Sequence, residues 1–406
     1  MKRVVVTGMG GVTALGNDWE QIETRLRAGC NAVQRIPEWD RYEMLNTRLA
    51  APVTGFETPA HYPRKVIRSM GRVSLLSVRA TEFALADAGL SDNPMIRDGR
   101  MGTAYGSSSG SIEPVRIAGQ MLATGSMQGV TSTSYIQMMP HTTAVNTCLY
   151  FGLKGRVIPT SSACTSGSQA IGYAFESIRA GRQELMVAGG ADELSAPSAA
   201  VFDTLFATST RNDAPESTPR PFDRARDGLV IGEGAATLIL EDYDAAQTRG
   251  ARILAEIVGF GTNSSGAHIT QPEAESQAVV MQLALDDAGI SPSAIGYVSA
   301  HGTATNLGDI AEAQATREVL GRVPISTMKS YIGHTLGACG AIEAWWGIEM
   351  MRRGWFAPTI NLDDPDPACE GLDYITGSGR TMSPEYFMSN NFAFGGINTS
   401  LIFRRI

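Results

Sequence analysis

The chain has 406 residues, 43% of them hydrophobic and 18% charged, which supplies apolar material for two core-forming halves of an ordinary globular protein. A formal net charge of −8 excludes nucleic acid or an anionic membrane as a general partner, so any acidic partner needs a local basic patch. The five cysteines are odd in number, scattered and without a C-x-x-C pair, which argues against a disulfide framework or a zinc site and for a reducing compartment.

Taken in chain order, Val4-Val5-Val6-Thr7-Gly8 is predicted to be a short strand running into glycines. The start lacks a signal-peptide core and no apolar run reaches a membrane span, so the expected location is cytoplasmic. A dinucleotide fingerprint at Gly8, Gly10 and Gly11 fails at its third glycine, where Thr13 stands. Pro63–Arg72 reads as a helix start carrying Arg64, Lys65, Arg68 and Arg72 at spacings of three or four, with Val66, Ile67 and Met70 facing inward. A helix dipole disfavours cations in its first turn, so local stability does not explain that cluster. Its plain alternative is a solvated face.

Ala84–Leu90 closes a helix on Gly89, and Gly102–Ser107 is a strand entering a polar loop. Next comes Pro159-Thr160-Ser161-Ser162-Ala163-Cys164-Thr165-Ser166-Gly167-Ser168, a strand end feeding a helix that continues through Ile171, Phe175 and Ile178. Cys164 therefore sits at a helix start among residues too small to shield it. Free N–H groups and the helix dipole predict a thiol that ionises readily, hence a nucleophile. The plain alternative is a small packing residue.

The second half repeats these signals. Ala284–Ile290 matches Ala84–Leu90, and Gly296–Thr303 matches Gly102–Ser107 and carries His301. Gly308–Ala313 carries Glu312, Ser326–Ser330 carries Lys329, and Gly333–Gly337 carries His334 before a second small-residue helix that closes on Gly354. Either histidine alone has bland uses. Lys329 is a solvated strand end or a member of a polar site, with Glu312 a candidate partner. The pattern predicts an α/β protein built from a duplicated unit, residues 1–250 and 251–406, with sheets covered by helices. Duplication would place Cys164 and His334 at equivalent helix starts, face to face across a pseudo-two-fold.

In order, these motifs resemble the β-ketoacyl-(acyl carrier protein) synthases of the elongating, two-histidine class, within the thiolase superfamily. The resemblance rests on Val5–Gly10, Ser162–Gly167, Pro219–Asp223, Arg226–Gly228, His301–Thr305, Lys329–Gly337 and Asn391–Asn398, and it spans nearly the whole chain. It implies a thiolase-like fold of two related halves in α-β-α-β-α layers. It also implies a decarboxylating Claisen condensation of an acyl group on Cys164 with malonyl-acyl carrier protein, giving 3-oxoacyl-acyl carrier protein in fatty acid or polyketide elongation. In that scheme His301 and His334 bind the malonyl thioester carbonyl, and Lys329 with Glu312 orders them. Thr303 and Thr305 hold the pantetheine arm. The N–H groups of Cys164 and Phe394 form an oxyanion hole, and the Phe394 ring is a gate. Ser109 stands where family members carry an acyl-pocket gate, and Arg64, Lys65, Arg68 and Arg72 match a carrier-docking helix. No cofactor or metal is implied, because the substrates carry phosphopantetheine from acyl carrier protein. The implied assembly is a homodimer, with a heterodimer with a related ketosynthase-like subunit as the alternative.

Two rival readings are a thiolase, which needs a second catalytic cysteine although none follows Cys369, and a non-catalytic chain-length-factor-like subunit, which lacks the nucleophile that Cys164 supplies. The sequence departs from the family pattern at Ser109, Asn306-Leu307, Ala393 and Ile397, and Ser109 with the altered closing loop tilts the expectation toward a specialised polyketide or polyene pathway over membrane fatty acid synthesis.

Overall fold

The computed structural model describes residues 1–406. In the first half the elements that frame the site are β1 (Val4–Thr13), α1 (Arg64–Ile67), α2 (Arg72–Asp87), β2 (Met101–Gly106), β3 (Val157–Thr160), α3 (Ser166–Arg179), β4 (Leu185–Asp192) and β5 (Gly234–Asp242). In the second half they are β6 (Ala255–Ser264), α4 (Ala274–Ala288), β7 (Ile295–Ser299), α5 (Asn306–Leu320), β8 (Pro324–Ser326), α6 (Cys339–Arg353), β9 (Asp373–Tyr374), β10 (Tyr386–Phe392) and β11 (Ile397–Arg404).

These strands form one 11-stranded sheet in the order β9-β8-β7-β10-β11-β6-β1-β5-β4-β2-β3. Its arms repeat one topology. Strand β2 is parallel to β3 and β4, after which β5 and β1 run antiparallel; likewise β7 is parallel to β8 and β10, after which β11 and β6 run antiparallel. The arms join where β1 meets β6 at Val4↔Ile257, Val5↔Glu256 and Val6↔Ala255.

Strand alternation sorts the helices into layers. A Cβ on Gly8 would lie 2.4 Å from Ala84 O of α2, and one on Gly259 would lie 2.4 Å from Ala284 O of α4, so both outer helices need glycine beneath them. On the opposite faces Gly11 of β1 meets Trp345 of α6, and Phe260 of β6 presses on Gly172 of α3. Helices α3 and α6 thus lie between the two arms while α2 and α4 cover the outside, which is the α-β-α-β-α arrangement. Helix α6 is buried from Cys339 through Met351. No helix is long and apolar enough to cross a membrane.

Each inner helix is entered through a 3-10 turn, Ala163–Thr165 before α3 and Leu336–Ala338 before α6. Ala163 and Leu336 share a left-handed backbone, with φ of 49° and 50°. This match sets Cys164 level with Gly337, so the expected equivalence of Cys164 with His334 is corrected. His334 precedes the second turn, level with Ser161 of the first half.

Candidate active site

The turn that presents Cys164 is fixed by its own small polar residues. Ser162 N–H donates to Ser166 Oγ at 2.9 Å, and Thr165 Oγ1 donates to Ser162 O at 2.8 Å. The thiol is 4% exposed, and the backbone N–H groups of Cys164 and Phe394 reach its sulfur. Burial pushes the thiol up to about 12, and the Lys329 ammonium only partly opposes it. The expectation of ready ionisation is therefore overturned, because desolvation outweighs the helix terminus. At rest Cys164 is a neutral thiol.

His334 Nε2 lies 2.9 Å from Cys164 Sγ. Leu336 N–H donates to His334 Nδ1 at 3.3 Å, so the proton of a neutral ring resides on Nε2. His301, just beyond β7, meets His334 edge-on with ring centroids 5.2 Å apart. Lys329 Nζ donates to His301 Nδ1 at 3.3 Å, leaving the Nε2–H of that ring free for the cavity. Burial first, and then the Lys329 charge, hold both imidazoles well below their ordinary value. The sulfur and one nitrogen from each ring lie within 4.8 Å of one another. One thiol and two neutral N–H donors thus converge.

The pairing expected of Lys329 is corrected. Its ammonium bonds Glu343 of α6, both side chains being 2% exposed, and Glu343 Oε2 also accepts from Asn391 Nδ2 at 2.7 Å. Burial lowers the lysine, but Glu343, joined by Cys339 and Glu312, outweighs it and the net shift is upward, so the ammonium stays charged. Glu312 of α5 instead accepts the backbone N–H groups of His301 and Gly302, each at 2.7 Å. Burial pushes Glu312 up to about 8. It shapes the turn that carries His301.

Sequence reasoning missed Glu343, Asn391, Asp192 and Cys339. Glu343 had a signal, since a carboxylate inside an otherwise apolar helical run needs a buried partner. Asp192, at the end of β4, accepts Gly337 N–H at 2.6 Å, Ser108 N–H at 3.0 Å and Ser107 Oγ–H at 3.1 Å, tying the turn after His334 to the loop after β2. Cys339 donates its S–H to Cys164 O at 3.3 Å. Nothing local in the sequence announces those two.

Cys164, His301, His334, Thr303, Thr305 and Phe394 line one cavity of about 650 Å³. Thr303 and Thr305 hydroxyls bond each other at 2.9 Å, and the Phe394 ring packs on Phe202 with centroids 5.0 Å apart. Gly395 and Gly396, with φ of 86° and 71°, follow Phe394, and Gly395 N–H donates to Ile269 O at 2.7 Å. Ser109 does not line this cavity: it is exposed, its N–H turned toward Asp192 Oδ1 at 3.4 Å. The basic segment also differs from the single helix expected. It breaks between α1 and α2, leaving Arg64, Lys65 and Arg68 exposed, whereas Arg72 pairs with the buried Glu233 at 2.7 Å.

This fold, and a site where a buried cysteine thiol meets two neutral histidine rings, are those of a condensing enzyme. The family description "Beta-ketoacyl synthase, N-terminal domain" matches residues 1–246, and "Beta-ketoacyl synthase, C-terminal domain" matches residues 254–363. A 3-oxoacyl-[acyl-carrier-protein] synthase 2 of Vibrio cholerae serotype O1 is 39% identical, with 100% of this chain and 99% of the relative covered. A beta-ketoacyl synthase structure from Burkholderia phymatum STM815 is similar with TM-score 0.99 and 67% identity, covering 100% of both chains. A type II PKS acyl-carrier protein in complex with its ketosynthase includes a chain that is similar with TM-score 0.87 and 31% identity, over 100% of this chain and 99% of that one. The chain belongs to the beta-ketoacyl synthase family. It is an enzyme of the acyltransferase class.

Proposed function

We propose that the chain joins an acyl group carried on Cys164 to malonyl-acyl carrier protein, with loss of carbon dioxide, to give 3-oxoacyl-acyl carrier protein. The carrying observation is the convergence of a buried thiol with two Nε2–H donors of fixed tautomer. The order is ping-pong. In the first half-reaction Cys164 sulfur attacks the acyl thioester, whose carbonyl oxygen receives the N–H groups of Cys164 and Phe394. The carbon–sulfur bond to the donor breaks, and the thiol proton leaves with the departing pantetheine sulfur. In the second, the malonyl thioester oxygen takes hydrogen bonds from His301 and His334. The carboxylate departs as carbon dioxide, and its bonding electron pair becomes an enolate held by those donors. The enolate carbon attacks the acyl-cysteine, and the released thiolate takes up a proton from solvent.

Lys329 acts by holding His301 in its tautomer, Glu343 by keeping Lys329 charged, and Glu312 by shaping the His301 turn. Thr303 and Thr305 are assigned to the pantetheine arm and Phe394 to gating, supported by their places in the cavity wall. The proposed chemistry needs no metal: the buried Lys329 ammonium beside His301 opposes a dication among Cys164, His301 and His334. Acyl carrier protein is the proposed partner, a reading supported by the related ketosynthase solved with its carrier. Arg64, Lys65 and Arg68 are its proposed contacts. A homodimer is proposed on Leu122, Met127 and Tyr135, which are 86%, 67% and 65% exposed. A heterodimer with a related subunit would cover the same face. The proposed setting is the cytoplasm, which keeps the Cys164 thiol reduced, and the proposed pathway is fatty acid or polyketide chain elongation, the second supported by the related type II PKS ketosynthase.

The test offers acyl- and malonyl-carrier protein together. A Cys164 acyl adduct by intact mass, followed by carbon dioxide release and a 3-oxoacyl product, is expected. Release without an acyl-cysteine would refute the scheme.

A further inference from the structure

Arginine is scarce in the wall of the catalytic cavity. Arg224 and Arg226 are its only Arg or Lys residues, and they sit in opposite circumstances. Arg226 is 2% exposed and fully engaged, with Asp366 at 2.6 Å, Asn306 Oδ1 at 3.0 Å and Thr305 O at 3.3 Å. Arg224 is 70% exposed, and its one ionic contact is with Asp364 at 4.0 Å, itself 71% exposed. Such a contact contributes little.

Arg224 marks the outer end of the cavity. Cys164, His301 and His334 are buried at the inner end, whereas Phe206, Ile269 and Leu307 of the same wall are 88%, 71% and 57% exposed. The Arg224 backbone is anchored although its side chain is exposed. Its N–H donates to Asp364 O at 2.8 Å, and buried Asp223 accepts from Ala225 N–H at 2.8 Å and Asp364 N–H at 2.9 Å. The wall's carboxylates are mostly occupied: Asp366 by Arg226, Asp227 by Arg211 at 3.4 Å, and Glu312 by two backbone N–H groups. Glu273 alone has a carboxylate with neither an ion pair nor a hydrogen bond.

We infer that Arg224 is a binding residue for the phosphate of the phosphopantetheine arm at the cavity mouth. The inference rests on the ketosynthase reading above. With the thioester at Cys164, the far end of the arm leaves through the exposed rim, and its phosphate is the anion that needs a partner there. A guanidinium fork suits phosphate oxygens and can bind two at once. In a chain of net charge −8, a cation at this mouth that is only weakly paired selects for an anionic arm. The carboxylates of a carrier protein are the other anions that could reach Arg224, and the experiment separates them from phosphate.

The rate of Cys164 acylation is read by intact mass with three donors: acyl-pantetheine, acyl-phosphopantetheine and acyl-carrier protein. The wild-type chain should prefer the phosphorylated small donor about tenfold, the scale of one charge-assisted contact at a half-open site. Arg224→Ala should erase that preference, and Arg224→Lys should keep part of it. A preference that survives in Arg224→Ala, an equal loss with both small donors, or a loss confined to the intact carrier overturns the phosphate assignment and leaves the ketosynthase reading standing. A wild-type chain acylated by none of the three overturns that reading, and this inference with it.

Discussion

Lys329 Nζ lies 3.3 Å from His301 Nδ1, and that contact decides which nitrogen of the ring faces the cavity. His334 reaches the same state by another route, since the donor to its Nδ1 is the backbone N–H of Leu336. A side chain and a peptide group thus fix one tautomer on two rings. Both rings then present N–H donors to the cavity, where the proposed reaction places an oxygen that becomes negative.

These rings should stay neutral in acid. Burial and Lys329 hold both well below 6.5, so nitrogen NMR of the histidines should still show neutral Nε2–H rings for His301 and His334 at pH 6.5, where a free imidazole is half protonated. Titration of either ring near 6.5 would contradict the electrostatics of the site.

The half-reactions should separate by mutation. Cys164→Ala should abolish acylation and condensation while the fold persists, because the site is walled by small residues. His301→Ala and His334→Ala should keep at least partial acyl transfer to Cys164 but lose malonyl decarboxylation by about a hundredfold or more. Normal release of labelled carbon dioxide by both histidine variants would sink the donor assignment.

The buried ion pair gives a stability prediction. Glu343→Ala leaves the Lys329 ammonium buried without its counter-ion and should cost about 3–5 kcal/mol in denaturant unfolding. Adding Lys329→Met should recover much of that stability without restoring decarboxylation. If the single and double variants are equally unstable, the pair is not the cause.

Glu312 predicts a pH slope of definite sign. Its folded value of about 8 lies above the ordinary carboxylate value of about 4.3. Between these limits the folded state holds a proton that the unfolded chain has released. The stabilising contribution is therefore full below about pH 4.3 and is lost as pH rises through about 8. Stability of the wild type relative to Glu312→Gln should fall from pH 5 to pH 8, by at most about 1.4 kcal/mol per pH unit. A flat or rising difference would show that the carboxylate is ionised throughout.

The basic segment should divide in two. Lys65→Glu with Arg68→Glu should raise the KM for carrier-bound substrates and steepen no loss with small acyl-pantetheines, and wild-type affinity for the carrier should weaken with salt. Arg72→Ala should act on stability, because its side chain closes the pair with buried Glu233. Equal losses with carrier-bound and small substrates in the Lys65/Arg68 variant would remove the docking assignment.

What the sequence determined was whatever is local or repeated. The small-residue turn around Cys164, the glycine-bounded segments carrying His301 and His334, and the duplicated helix ends are short-range patterns, and the strand alternation that sorts helices into layers follows from them. Tertiary structure alone decided the partners of buried charge. Lys329 chose Glu343 over Glu312 because α6 runs between the two arms of the sheet and carries Glu343 to the lysine, while α5 carries Glu312 beneath the His301 backbone. The equivalence of Cys164 with Gly337 depended on the left-handed turns at Ala163 and Leu336, conformations that neither residue type announces. The protonation of Cys164 was likewise out of reach of the sequence. A helix start is a local feature that favours the anion, whereas the desolvation that outweighs it comes from elements far apart in the chain closing over one sulfur.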